Sequence, residues 1–210
     1  METIEGWLEA LKQFENGVLL AINGWHSPLA DQIMWLLTGK LIWFPFYAYL
    51  LYLVYKKLTP KEFLLFLVVG LATVGFADMF ANYGLKHTIQ RYRPSHNLEL
   101  GPLLRFYEFK PGELYRGGQY GFVSGHSTNS FAIAWFFGLF LKKYYRFAIV
   151  GLMLWALVIV YTRLYLGVHY PSDIIGGFIV GTSFAFAGNF FYKKLKMKFF
   201  NKPVQDKYHL

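Results

Sequence analysis

Three short clusters of polar residues contain the side chains that could do chemistry in this sequence. They lie at residues 86–94, 121–127 and 162–173. The clusters supply three cations, Lys86, Arg93 and Arg163, and arginine suits bidentate contact with phosphoryl oxygens. These cations predict a phosphate ligand, because the surrounding segment offers few carboxylates to neutralise them. Taken singly, Lys86 and Arg93 could instead extend toward lipid headgroups.

The second cluster contains Ser124-Gly125-His126, at a point where a helix is predicted to begin. Ser124 supplies a hydroxyl, and the amides of Gly125 and His126 would face an anion at the positive end of the helix dipole. Glycine at position 125 lets the backbone approach that anion closely. The alternative for this cluster is an ordinary helix N-cap.

The third cluster places His169 four residues before Asp173. Pro171 suits a first helical turn, so Asp173 would lie in that turn with the imidazole just before it. The carboxylate could accept the Nδ1–H of His169 and leave Nε2 free to attack. His126 would then act as the general acid that protonates the departing alkoxide. The alternative is a simple i,i+4 contact at the helix start.

Composition indicates a membrane protein of 210 residues forming a single domain. Hydrophobic residues make up 55% and charged residues only 16%, against about a quarter charged in soluble domains. Disordered, collagen-like and coiled-coil classes are excluded. The absence of cysteine excludes disulfides and thiolate metal sites. No cluster of Asp and Glu could hold a metal, so fixed cations and amides would have to stabilise developing charge without any cofactor.

Charge-poor stretches predict an all-α fold, a polytopic transmembrane helical bundle of five or six spans. Five spans are expected, at residues 41–56, 63–85, 124–141, 147–162 and 173–192. Tyr- and Trp-rich flanks bring the shorter stretches toward the roughly 20 residues that cross a bilayer. In residues 1–40, Ile4, Leu8, Leu11 and Val18 alternate with charged residues that include Glu15. That pattern predicts an interfacial amphipathic helix, followed by a short helix at 29–38; a sixth span there stays open.

The positions of lysine and arginine predict the orientation. Twelve of the 21 lie in turns or a tail that five alternating spans place on one side, at 56–61, 142–146 and 193–207. The positive-inside rule makes that side cytoplasmic, including the basic tail 193–210. The three clusters then face the periplasm or exterior of what we expect to be a bacterial inner membrane. The net charge of +9 is thus explained by the orientation of the protein in the membrane, and no nucleic-acid partner is expected. No cleavage-site pattern follows the N-terminus, so insertion without signal removal is expected.

Together, the clusters resemble the Lys-x6-Arg-Pro, Pro-Ser-Gly-His and Ser-Arg-x5-His-x3-Asp signatures of the type 2 phosphatidic acid phosphatase family, which is related to vanadium haloperoxidases. The resemblance implies metal-independent hydrolysis through a phosphohistidine on His169, with Asp173 activating it and His126 as the acid. It assigns phosphate binding to Lys86, Arg93, Ser124, Gly125 and Arg163. Val123 replaces the family's Pro and Thr162 its Ser; neither change removes a charged participant.

The predicted function is hydrolysis of a lipid phosphomonoester or pyrophosphate by an integral-membrane phosphatase. Candidate substrates are undecaprenyl pyrophosphate, phosphatidylglycerophosphate, phosphatidate and lipid A phosphate; the small chain favours the first by analogy. Two alternatives use the same cationic cavity. One is a phospholipid or prenyl-phosphate transporter or scramblase, and the other is an inactive binding protein. The sequence does not decide the oligomeric state.

Other polar residues are expected to lie outside the catalytic centre. Contacts with the loop or with headgroups are expected for His87, Arg91 and Arg116. Solvated positions are expected for His26, His96 and His209. Asp78, inside the second span, is a functional candidate by default, with a hydrogen bond to a neighbouring helix as the equally favoured alternative.

Overall fold

The computed structural model describes residues 2–200, and most of them are helical. The helices are α1 (Glu2–Gly24), α2 (Pro28–Thr38), α3 (Phe44–Tyr55), α4 (Pro60–Met79), α5 (His87–Ile89), α6 (Gly125–Leu141), α7 (Ala148–Tyr165) and α8 (Pro171–Phe200). Leu41–Trp43 forms a 3₁₀ turn ahead of α3, and a π-helix, Phe80–Lys86, joins α4 to α5.

Three helices are long and apolar enough to cross a membrane: the continuous helix Pro60–Ile89, Ala148–Tyr165 and Pro171–Phe200. A fourth span is reached if the pair Pro28–Thr38 and Leu41–Tyr55, bent by 69°, counts as one. Helix α6, at 17 residues, is shorter than the roughly 20 that span a bilayer core. Five or six spans therefore stay a prediction.

Helix α8 packs closely against α6 and α4 through glycines. A Cβ on Gly181 would lie 2.2 Å from the backbone oxygen of Thr128 in α6, and one on Gly188 would lie 2.0 Å from Oγ1 of Thr73 in α4. Small residues of this kind let membrane helices approach until their backbones nearly touch. The contact fixes the start of α8 beside the start of α6, where the second and third clusters lie.

Aromatic side chains fill the interior between α4, α6 and α8. The ring of Phe66 lies 4.8 Å from Phe136, 5.0 Å from Phe140 and 5.3 Å from Tyr192, measured between centroids. Such edge and tilted pairs add stability beyond burial alone. The polar clusters are thus held by a packed core rather than by the segment that connects them.

The segment between α5 and α6 forms a short β-hairpin and is fastened to the N-terminal helices. Strands β1 (Glu108–Lys110) and β2 (Glu113–Leu114) pair antiparallel. Asn23 of α1 fastens the segment by donating to the carbonyl of Arg105 at 2.9 Å and accepting from its amide at 2.8 Å. The Arg105 guanidinium in turn pairs with the buried Asp31 of α2. Part of the positive charge in this segment is therefore neutralised by the two N-terminal helices.

The N-terminal region forms the two helices that the sequence predicts, with one correction. Leu8 and Leu11 are exposed, as expected for an apolar face turned toward lipid, but Glu15 is buried and does not belong to a polar outer face. Placement of α1 in the interface stays a prediction. At the other end, α8 continues to Phe200, so the first eight residues of the predicted tail are helical; residues 201–210, with His209, lie outside the described residues.

Candidate active site

His169 and Asp173 form a buried pair at the start of α8. The Nδ1 atom of His169 lies 3.1 Å from Oδ2 of Asp173, and the two side chains are 1% and 0% exposed. Asp173 Oδ2 also accepts the backbone N–H of Tyr170 at 3.0 Å. The carboxylate therefore fixes the ring so that Nδ1 carries the proton and Nε2 presents its lone pair. Burial, followed by the charges of Arg93 and Arg163, holds the pKa of His169 well below its ordinary value.

The other oxygen of Asp173 is held by a residue that the sequence placed outside the centre. Nη1 of Arg91 lies 3.2 Å from Asp173 Oδ1 and 2.5 Å from Oγ of Ser172. Nη2 of Arg91 donates to Glu15 at 2.8 Å, and Glu15 also accepts the backbone N–H of Ser172 at 2.9 Å. Sequence reasoning missed both Glu15 and Arg91 in this role, because the two are 76 positions apart. One sequence pattern could have indicated that Glu15 faces inward: Glu15, Leu19 and Asn23 follow one another at four-residue spacing on one helix face. The structure buries all three.

Arg93 places its guanidinium directly on the Nε2 side of His169. Nη1 lies 2.9 Å from Nε2 and also donates to the carbonyl of Val168 at 3.1 Å, while Nε donates to the carbonyl of Tyr120 at 3.0 Å. These backbone contacts orient the planar group. Burial, together with the nearby guanidinium of Arg163, lowers the pKa of Arg93 to about 10, which leaves it charged at neutral pH.

Arg163, 1% exposed, is held by residues that lie outside the three clusters. It donates to Oγ1 of Thr38 at the end of α2 and, at 2.8 Å, to the hydroxyl of Tyr115. Its Nε has no hydrogen-bond partner among the described residues. A buried donor without an acceptor is costly, so this N–H is available for an anionic ligand. Sequence reasoning did not identify Thr38 or Tyr115.

Helix α6 begins at Gly125, close to the predicted start, and Ser124 forms the N-cap that was the alternative to a phosphate-binding hydroxyl. Oγ of Ser124 accepts the amide of Ser127 at 3.5 Å, and the amide of Ser124 donates to the carbonyl of Asp173 at 2.9 Å. This bond joins the second cluster to the third. His126 points its Nε2 toward the carbonyl of Thr38, at 3.4 Å. The amides of Gly125 and His126 lie in the first helical turn, where an anion is favoured.

Lys86, the third cation that lines the cavity, is the last residue of the π-helix. Its Nζ donates to Oδ1 of Asn82 at 2.6 Å. Asp78, one turn earlier, accepts from Nδ2 of Asn129 in α6 at 2.7 Å. The predicted interhelical hydrogen bond of Asp78 is therefore present. π-Helical segments inside longer helices often occur at functional sites.

One cavity of about 510 Å³ brings the predicted residues together. Its lining includes Lys86, Arg93, Gly125, His126, Arg163 and His169. Ser124 and Asp173 are fully buried next to it, bonded to each other through their backbones. Within residues 2–200, no carboxylate lies within salt-bridge distance of Lys86, Arg93 or Arg163. Nor does any group of three His, Asp or Glu in that range have metal-binding geometry. A cavity so positive at physiological pH suits a phosphoryl group.

Three polar residues that the sequence placed outside the catalytic centre, His87, His96 and Arg116, lie outside this cavity. His87 stacks on Tyr83 and is exposed. Arg116 donates to the carbonyl of Ser95 at 3.3 Å and lies over the ring of Phe106, as expected for a loop contact. His96 differs from the expected solvated residue, since its Nδ1 lies 3.1 Å from the hydroxyl of the buried Ser95.

The sequence profile of the PAP2 superfamily matches residues 63–197, a range that contains all three clusters. The chain belongs to the PAP2 superfamily. This confirms the family resemblance carried by the clusters. The chain is 40% identical to lipid A 4'-phosphatase of Bacteroides thetaiotaomicron over 88% of its length and 78% of the relative. It is 36% identical to lipid A 4'-phosphatase of Porphyromonas gingivalis, over 89% and 75%.

The fold of this PAP2 protein also matches a solved membrane protein. The crystal structure of a transmembrane PAP2-type phosphatidylglycerolphosphate phosphatase from Bacillus subtilis aligns with a TM-score of 0.64, covering 89% of this chain and 88% of that one. The identity is 23%, so this match supports the fold alone. With its apolar helices, the protein is an integral membrane protein.

Proposed function

We propose that this protein removes a phosphate from a lipid A-type lipid through a covalent phosphohistidine on His169. One observation carries the proposal: the ring of His169 is held through Nδ1 by Asp173 while its Nε2 meets the guanidinium of Arg93 in a cation-lined cavity. That arrangement presents a neutral nucleophile where phosphoryl oxygens would be bound.

The broader assignment does not depend on this detail. The protein is a membrane lipid phosphatase, since it belongs to the PAP2 superfamily and its curated relatives are lipid phosphatases. The transporter and inactive-protein alternatives are not favoured. A transporter would have no use for an oriented pair such as His169 and Asp173.

In the first step, the lone pair of His169 Nε2 attacks phosphorus, and the bond between phosphorus and the lipid oxygen breaks. His126 gives its proton to the departing alkoxide. Lys86, Arg93 and Arg163, with the amides at the start of α6, stabilise the charge on the equatorial oxygens. Because Arg93 donates to Nε2, a bound phosphate must accept that N–H before the lone pair can attack.

In the second step, water attacks the phosphohistidine and the P–N bond breaks. His126, now neutral, takes the proton from the water, and inorganic phosphate leaves with Nε2 again unprotonated. Asp173 stays ionised throughout and stabilises the positive charge that the imidazole gains on attack. Among residues 2–200, His169 is the one histidine that a carboxylate orients at this cavity.

The apolar part of the cavity offers a place for the lipid beside the phosphate. Trp43, Phe44, Tyr47, Trp155 and Ile159 line the cavity together with the cations. Substrate would enter sideways, its chains staying in the bilayer, because extracting them costs about 0.8 kcal/mol per methylene. Membrane lipids and the lipid phosphate are thus the proposed partners.

The choice of lipid A rests on the relatives. The two relatives that the chain matches over 88% and 89% of its length carry the name lipid A 4'-phosphatase. They favour lipid A phosphate over the undecaprenyl pyrophosphate that the small chain suggested. We place the cavity on the periplasmic face of the bacterial inner membrane, with the basic end of α8 in the cytoplasm, on the basis of the lysine and arginine distribution.

The test is phosphate release by the purified protein in detergent micelles containing EDTA. Lipid A, phosphatidylglycerophosphate, phosphatidate and undecaprenyl pyrophosphate are compared, with vanadate as inhibitor. We expect the highest kcat/KM on lipid A, full activity in EDTA, inhibition by vanadate, and no activity for His169→Ala. Replacing the exposed His26 by Ala is the matched control. Activity that disappears in EDTA would contradict the mechanism, and a preference for another lipid would contradict the substrate.

A further inference from the structure

A stripe of polar side chains lines the cavity beyond the phosphate-binding cations. Asp78, Asn82 and Lys86 follow one another at four-residue spacing on the cavity side of the Pro60–Ile89 helix, and Asn129 faces them from α6. Polar groups on a helix that crosses a membrane are costly and are by default candidates for function.

The stripe meets the start of α6 at one point. A Cβ on Gly125 would lie 3.6 Å from Nζ of Lys86, 3.7 Å from Oδ1 of Asn82 and 3.8 Å from Oδ1 of Asp78. The ammonium and the two oxygens therefore border the space next to the amides of the first turn of α6. A substrate group next to a phosphate bound at these amides would lie beside this point.

Beside the N–H donors of Lys86 and Asn82, the stripe offers hydrogen-bond acceptors to a ligand. Oδ1 of Asn129 is buried and has no hydrogen-bond partner among residues 2–200, although its Nδ2 donates to Asp78. The carboxyl oxygens of Asp78 also accept hydrogen bonds. A ligand that satisfies these groups must bring O–H or N–H donors close to its phosphate.

We propose that Asp78, Asn82 and Asn129 form a subsite for the hydroxyl and amide groups of a phosphorylated saccharide headgroup. An aminosugar phosphate carries such donors on the ring that bears the phosphate, whereas phosphatidate and prenyl phosphates carry none there. Discrimination follows because a substrate without donors leaves the acceptors desolvated and unpaired. This inference rests on the proposed function and specifies how the same site selects its lipid.

The experiment measures kcat/KM for lipid A and for phosphatidate in the same micelles, and compares their ratio. Asn129→Leu keeps the side-chain size and removes the acceptor, and Asp78→Asn removes the charge with little change in shape. We expect the ratio of lipid A to phosphatidate to fall about tenfold or more in each. The matched control is Asn189→Leu, which removes a buried asparagine of α8 that bonds only backbone carbonyls away from the cavity.

The outcomes separate the inference from the proposed function. A lower ratio in Asn129→Leu and Asp78→Asn, with the ratio of Asn189→Leu near wild type, supports the subsite. An equal loss on both lipids, with an unchanged ratio, overturns the subsite and assigns these residues to packing or to holding Lys86. If the wild-type protein itself hydrolyses phosphatidate and not lipid A, the proposed function is wrong and the subsite falls with it.

Discussion

The guanidinium of Arg91 lies 2.8 Å from the carboxylate of Glu15, and through this contact the N-terminal helix reaches the nucleophile. The same guanidinium bonds Asp173, which orients His169. Glu15 also accepts the first-turn amide of Ser172. Helix α1 therefore positions His169 and Asp173, the proposed catalytic pair, although no residue of α1 lines the cavity.

This relationship predicts that Glu15→Gln lowers kcat about tenfold and leaves KM within about twofold. The amide keeps the size of Glu15 but weakens its charge-assisted bond to Arg91, so Arg91 and Asp173 lose alignment while the phosphate-binding cations stay in place. Steady-state kinetics on lipid A would measure both constants. The control is Glu9→Gln on the same helix, which has 57% of its side chain exposed. Equal effects of the two substitutions would show that Glu15 has no special role.

Arg93→Lys is expected to lower kcat/KM by about 100-fold. Lysine keeps the charge but cannot reproduce the planar group that bonds Val168, Tyr120 and His169 together, so both phosphate binding and its orientation weaken. The control is Arg116→Lys, which makes the same substitution at a loop arginine outside the cavity. Near-normal turnover in Arg93→Lys would mean that charge alone suffices.

The buried His169 predicts that the folded protein loses stability in acid. Its pKa in the folded state is well below the ordinary value, near 6.5 for an unfolded chain, so the unfolded state binds more protons once the pH falls below about 6.5. This contribution is complete above that pH and is lost progressively below it. Melting temperatures in detergent between pH 8 and pH 5 should fall less for His169→Gln than for the wild type. Parallel curves would indicate that His169 takes up a proton at the same pH in the folded and the unfolded state.

Helix packing predicts that Gly181→Ala destabilises the protein by about 1–3 kcal/mol, since its Cβ would meet the backbone oxygen of Thr128 at 2.2 Å and α8 would have to move. Gly75→Ala is the control, because nothing lies within 4 Å of a Cβ there. Thermal unfolding in detergent would compare the two. A Gly181→Ala protein as stable as Gly75→Ala would argue against the close contact of α8 and α6.

The sequence predicts which charged side chains come together around the cavity, because charged side chains are conspicuous in an apolar chain. Lys86, Arg93 and His169 lie near the ends of helices. Because successive spans cross the membrane in alternating directions, these ends lie on the same side of the membrane. What could not be predicted are long-range contacts with no local pattern. Thr38 bonds Arg163 across 125 positions, and Glu15 reads as one acidic residue among several on an amphipathic helix. The span predicted at 41–56 contains α3, which at 12 residues is shorter than the roughly 20 that cross a bilayer core; its count as a crossing depends on the bent pair that it forms with α2.

The most direct test of the account is to trap phosphate on the enzyme. Wild-type protein is mixed with lipid A labelled in its phosphate, quenched with base within milliseconds, and digested to locate the label. Phosphohistidine is stable in base and labile in acid, so we predict such a label on the peptide containing His169, and its absence from His169→Gln. A wild-type protein that releases phosphate without any histidine-bound label, or a His169→Gln protein that still turns over, would contradict the account.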